Sequence, residues 1–194
     1  RASVDAAGVQ GNAQSDDSAI SADGRYVTFK SQASNFVAND TNGTAWDIFR
    51  KDLQTGAISR VSTSSAGAQS NGSSHDPVIS ADGRYVAYRS SATNLVSGDA
   101  NAQQDIFRKD TVTGTTILIS VSTAGAQGNA LSDDPQISDD GNRIAFHSDA
   151  TTLVSGDSNV QRDAFLRDVA AGTTVRVSLS TAGAQGNGRS AEVA

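Results

Sequence analysis

The residues of this chain best suited to chemistry recur in threes. "DTNGTAWDIFRKD" spans residues 40–52, and it returns as "DANAQQDIFRKD" at 99–110 and as "DSNVQRDAFLRD" at 157–168. Each copy opens on an Asp, places an Asn two residues on, and meets a second Asp before an apolar pair. Asp40, Asn42 and Asp47 therefore bring side-chain oxygens into one short loop. Asp99, Asn101 and Asp105 do the same, and so do Asp157, Asn159 and Asp163. That donor set is the kind a hard divalent cation takes: Ca2+ gathers about 6–8 oxygens from carboxylates, amide and backbone carbonyls, and water.

The D-x-N opening resembles the first half of an EF-hand loop. It lacks the closing Glu, and only the first copy has Gly after the Asn. The competing reading is structural, because Asp and Asn also end strands and cap loops by bonding their own backbone. Recurrence fits both. In the second copy no basic residue stands among the acids, which keeps calcium in view as the one cofactor to expect.

Other polar residues are read more blandly. Asp52, Asp110 and Asp168 follow each conserved-spacing Phe by three residues and are expected to bond backbone or hydroxyl groups between strands. His75 and His147 are the only histidines; each is unique at its position in the repeat, and surface or edge polarity is the default reading. With no Cys and no Gly-x-Ser-x-Gly elbow, a nucleophilic triad has no support, and no catalytic residue is assigned. Trp46, the only Trp, sits in the longest Asp–Asn loop. There it either stacks on a ligand such as a sugar or folds over its own loop. The "G-x-Q-G-N" segments contain G-x-x-G without the Lys and helix of a phosphate cradle, so they read as connectors.

The bulk composition narrows the partners. Of 194 residues 37% are hydrophobic and 5% aromatic, and the formal net charge is −6. An acidic chain is a poor match for a nucleic-acid backbone, where affinity rests on Lys and Arg. No run of about 18 apolar residues is present to enter a membrane as a helix. The chain has no Met and no signal peptide, so it reads as a processed product or an excerpt.

The loops must be positioned by a repeated framework. "AISADGRYVTF" (19–29) returns as "VISADGRYVAY" (78–88) and "QISDDGNRIAF" (136–146), a period of 58–59 residues. Repeat units run over about 13–71, 72–129 and 130–187, with 1–12 and 188–194 as partial repeats in a single segment, 1–194. Asp-Gly between apolar runs signals a hairpin, with a type I′ turn expected. Two further runs follow, one starting at "DIF" and one such as "AISRVS". No apolar pattern of helical period interrupts them. The fold class is all-β: four-stranded antiparallel sheets repeated as propeller blades. Apolar groups on both faces of the middle strands agree, since a sheet packed between two others must be apolar on both sides.

The combination "S-x-D-P-x-I-S-A-D-G-R-Y-V-A" and "D-I-F-R-K-D-x-x-T-G" resembles the WD-like β-propeller repeat of TolB-type propellers of bacteria, in a long-loop variant from secreted and surface proteins. The likeness covers essentially the whole chain. Unit three departs from it at "DDGNRIAF" and "DAFLRD", and Glu192-Val193 replaces Asp-Pro in the truncated fourth. It implies a propeller fold and a secreted, cell-surface or periplasmic setting in a bacterium. It implies little about activity, since propellers host many functions.

Residues 1–12 align with 60–71 and 176–187, giving four copies of that segment but three of the other strands. Propellers carry roughly 4–8 blades, so three imply either part of a longer array or two chains completing a six-bladed homo-oligomeric ring. The function expected is a non-enzymatic scaffold for a protein or glycan partner, or for further copies of itself, with calcium stabilising the D-x-N loops. The alternatives are the propeller portion of a secreted peptidase or carbohydrate-active hydrolase, and a lectin-like binder using Trp46.

Overall fold

The computed structural model describes residues 1–190, and among these the chain forms three four-stranded antiparallel sheets and no helix. The first sheet holds β1 (Ser15–Ile20), β2 (Tyr26–Ser31), β3 (Asp47–Asp52) and β4 (Ile58–Arg60). The second holds β5 (Ser74–Ile79), β6 (Tyr85–Ser90), β7 (Asp105–Asp110) and β8 (Thr116–Leu118). β9 (Ser132–Ile137), β10 (Arg143–Ser148), β11 (Asp163–Asp168) and β12 (Thr173–Arg176) make the third. Neighbours in sequence are neighbours in the sheet, so each sheet is a simple meander. Within the partial repeat 188–194, residues 191–194, including Glu192 and Val193, lie outside the described residues.

The middle strands explain the packing. Ile48 and Phe49 are adjacent in β3 and both fully buried, as are Ile106 and Phe107 in β7. Adjacent strand residues point to opposite faces, so both faces must be covered. One core cluster joins Ile48 and Val61 of the first sheet to Val86, Tyr88, Leu95 and Phe107 around the second. Another joins Ala87, Ile106 and Ile119 to Ile144, Phe146, Leu153 and Phe165. Each fully buried side chain of this size contributes roughly 2–3 kcal/mol of transfer free energy. The sheets are thus stacked blades, each using its neighbour as half of its core.

The Asp-Gly hairpins form, but not with the expected turn. Gly24, Gly83 and Gly141 have φ of 71°, 72° and 70°, whereas the Asp before each is not left-handed. The Gly24 N–H bonds the Ser21 carbonyl, closing a turn over Ala22 and Asp23 before the glycine. A type I′ turn needs positive φ at both central residues. Here the Asp instead uses its carboxylate, accepting from the Ser21 hydroxyl at 2.6 Å and the Arg25 N–H at 3.0 Å. These hairpins also join the blades: Ala22 N–H donates to Ala81 carbonyl, and Ala81 N–H to Asp139 carbonyl, each at 3.0 Å. Tyr26 packs so closely on Gly83 that a Cβ there would fall 2.2 Å from its ring.

The first strand of every blade carries a bulge. Pairing with the second strand slips at Asp17, at Asp76 and at Asp134, where φ is 43°, 52° and 48°. An extra residue in one strand bends it and re-aims a side chain. In all three blades that side chain is a carboxylate.

Candidate functional site

Each second Asp of the D-x-N loops is the first residue of a third strand, and each is almost wholly buried: Asp47 at 1%, Asp105 and Asp163 at 0% exposure. A buried carboxylate must be bonded or neutralised. One oxygen of each accepts a 2.6 Å bond from a serine hydroxyl just after the fourth strand, Ser62, Ser120 or Ser178. In the first two blades the other oxygen accepts from the loop Asn, with Asn42 at 3.3 Å and Asn101 at 3.0 Å. All three asparagines also donate to a connector carbonyl, Ser70, Gly128 or Gly186, and in the third blade Asn159 makes that bond without the one to Asp163. The sequence-predicted loop residues therefore do come together in the first two blades.

A residue absent from the expected set completes the cluster. Gln69 Nε2 donates to both Asp40 and Asp47 at 2.8 Å, and Gln127 Nε2 to Asp99 at 2.7 Å and Asp105 at 2.9 Å. Gln185 likewise reaches Asp157 at 2.7 Å. These glutamines belong to the "G-x-Q-G-N" connectors, where Gln69 and Gln127 pair with Thr63 and Val121 in isolated antiparallel bridges. The signal was present in the sequence: the second Asp of every loop, Asp47, Asp105 or Asp163, is followed 22 residues later by such a Gln.

The three clusters differ in one decisive position. Arg60 lies opposite Phe49 in the β3–β4 pairing, and Arg176 lies opposite Phe165 in β11–β12. Arg60 sits 3.2 Å from Asp47 and 3.5 Å from Asp40, while Arg176 is 3.2 Å from both Asp163 and Asp157. In the first and third blades the cation facing the carboxylates is thus an arginine of the chain. The second blade has Leu118 there, opposite Phe107. Its Asp99 Oδ2 is buried and accepts no hydrogen bond. Ser70, which also bonds Asp47, is replaced by Gly128. Burial pushes the Asp47 and Asp105 carboxyls up; Arg60 offsets part of this for Asp47, and Asp105 has only neutral donors against it.

The remaining predicted residues fall as follows. Trp46 is half-buried, with Lys30 Nζ 4.9 Å from its ring centre and the His75 ring at 6.2 Å. It bridges the first two blades. His75 is partly buried, and that burial, with Arg89 and Lys30 nearby, holds its imidazole below the usual range. His147 corrects the surface reading outright: it is 1% exposed, inside β10. Asp52 accepts two bonds from Arg25 Nε and one from Nη2, along with the N–H groups of Gln54 and Thr55. Asp110 repeats this with Arg84. The guanidinium holds each of these carboxyls far below the ordinary range. Open grooves flank the blade joints at Ser64–Ala66 and Ser122–Ala124, lined by Ser, Thr, Ala and aliphatic residues, with Asn94 in the first, and without a titratable group.

Stacked four-stranded meanders with radial joints define the class as β-propeller, and comparison with solved structures gives the kind. TolB from Acinetobacter baumannii matches 86% of this chain at 20% identity, with a TM-score of 0.50. The β-propeller domain of the Trilobed protease from Pyrococcus furiosus matches 84% at 13% identity, with a TM-score of 0.51. The fold is the TolB-type propeller. The chain spans 32% and 41% of the length of those two proteins. No family model and no curated relative matches it.

Proposed function

We propose that this chain is the blade segment of a non-enzymatic, extracytoplasmic propeller that serves as a binding or assembly scaffold. The observation carrying this reading is how its recurrent polar groups are spent. The Asp-Gly carboxylates close turns, Asp52 and Asp110 hold arginines and loop N–H groups, and the loop Asp–Asn–Gln sets tie each blade to the following connector. Groups bonded in this way brace a framework. The likeness to TolB supports the same setting. Fluorogenic peptide and glycoside panels should show no turnover above a heat-inactivated control; turnover abolished by a point substitution in this chain would overturn the reading.

The second reading is the propeller portion of a hydrolase, favoured by the likeness to the Trilobed protease domain. A hydrolase domain adjoining this segment in the full-length protein would establish it.

Calcium stabilisation belongs, within the scaffold reading, to the second blade alone. There Asp99 and Asp105 carry two buried carboxylates, one free oxygen and no arginine. At tenfold excess over Kd a bound ion stabilises by about 1.4 kcal/mol, or about 3–5 °C for a domain of this size. A melt in about 1–5 mM calcium against chelator should show that rise in the wild type and lose it in Leu118→Arg. An unchanged wild-type midpoint reduces the D-x-N loops to turn chemistry.

A further inference from the structure

The bulge carboxylates face a residue on the second strand, and it changes character only once. In the first blade Lys30 Nζ lies 2.5 Å from Asp17, and in the second Arg89 pairs with Asp76. The third blade has His147 in that place, directly opposite Asp133 in the β9–β10 pairing. Asp134, the bulge residue, turns its carboxylate to the same spot, with Oδ2 3.5 Å from His147 Nδ1. That Nδ1 is buried and has no hydrogen-bond partner. An unpaired imidazole nitrogen in a 1% exposed side chain is costly, and it points into two carboxylates.

We propose that Asp133, Asp134 and His147 form a site for a borderline divalent transition metal of the zinc class. The donors suit it: one neutral imidazole nitrogen and two carboxylate oxygens, all within 4.8 Å of one another. Three protein ligands leave a fourth position for water. For bonds of ~2.1 Å a tetrahedral edge is about 3.4 Å, and the His147–Asp134 separation of 3.5 Å is already that edge. Asp133 must close in by at most somewhat over an ångström. Asp134 is 46% exposed at its side chain and provides the way in.

Arg162 is the resident competitor. Its Nη2 donates to both Asp133 and Asp134, at 2.9 Å for the latter. It replaces Trp46 and Gln104 of the other blades, so the third blade has moved its permanent cation off the second strand and onto the loop. Metal and guanidinium contend for the same oxygens, and the metal would satisfy His147 Nδ1 as well, which the guanidinium does not.

The test is a Co2+ titration at neutral pH, followed by visible d–d absorption and displacement by Zn2+. Wild type should bind one equivalent. Arg162→Gln should bind at least about tenfold tighter, since a competing charge is gone. His147→Lys should abolish the signal while staying folded, because lysine is the first blade's own residue at this position. Absence of the band in wild type, its persistence in His147→Lys, or its appearance only in Arg162→Gln would each overturn the site.

Discussion

The Asp–Asn loops of the first and second blades share their backbone frame and differ in what neutralises them. Both bury an Asp at the head of the third strand, and both bond it to a serine, an asparagine and a connector glutamine. The first loop then faces Arg60, and the second faces Leu118. Two carboxylates taken out of water need a counter-charge or a proton. The first blade supplies that charge from its own chain, as Arg60. The second leaves Asp99 Oδ2 unbonded. One side chain on a neighbouring strand thus decides whether the same loop is a finished joint or an open one.

Arg60→Leu gives the first loop the neutral neighbour of the second, and it should have the largest effect. Removing one partner of a buried ion pair costs about 3 kcal/mol, read as a lower denaturant midpoint with unchanged slope. A loss below about 1 kcal/mol, the range of exposed pairs, would show that Arg60 is incidental.

The reverse change, Leu118→Arg, should stabilise by about 1–2 kcal/mol at neutral pH, less than breaking a buried pair costs, because the incoming guanidinium must be desolvated beside the already buried Asp105. Position 118 stands opposite Phe107 in the same register in which Arg60 lies over Phe49, 5.9 Å from its ring centre. Its pH dependence is the sharper check. Burial raises the folded Asp105 carboxyl above its unfolded value of 3.8, so the folded state holds the proton longer. The charged form then costs stability as pH rises from near 4 through the raised value. The gain from arginine should therefore be small near pH 4 and grow toward pH 7. A gain independent of pH would break the comparison.

Tyr88→Phe should have the smallest effect and the opposite sign to most core changes. The Tyr88 hydroxyl is buried without a partner, where the first and third blades carry Phe29 and Phe146. Burial also drives its ionisation sharply upward, so the neutral phenol is all that is present. Removing an unsatisfied hydroxyl should raise stability by about 1 kcal/mol, seen in the thermal midpoint. A loss would mean that the hydroxyl has a bonded water.

Much of this protein was written in its repeats. "SADGRY" and "DIFRKD" at a period of 58–59 residues were enough for all-β blades, because Asp-Gly ends strands and two-sided apolar runs demand neighbours on both faces. The loop acids and Trp46 were found by their spacing. Gln69 and Arg60 were missed as partners of Asp40 and Asp47, although both recur or vary in register with the loops. Spacing along the chain does not show which strand lies opposite which.

What the sequence alone determined is local: where strands end, which runs need two covered faces, and which oxygens share a loop. The tertiary structure decided the charge balance. Across-strand pairing put Arg60, Leu118 and Arg176 over the three carboxylate pairs, and the bulges turned Asp17, Asp76 and Asp134 toward Lys30, Arg89 and His147. Electrostatic energy depends on distance through space and on burial, and neither is a property of neighbours in sequence.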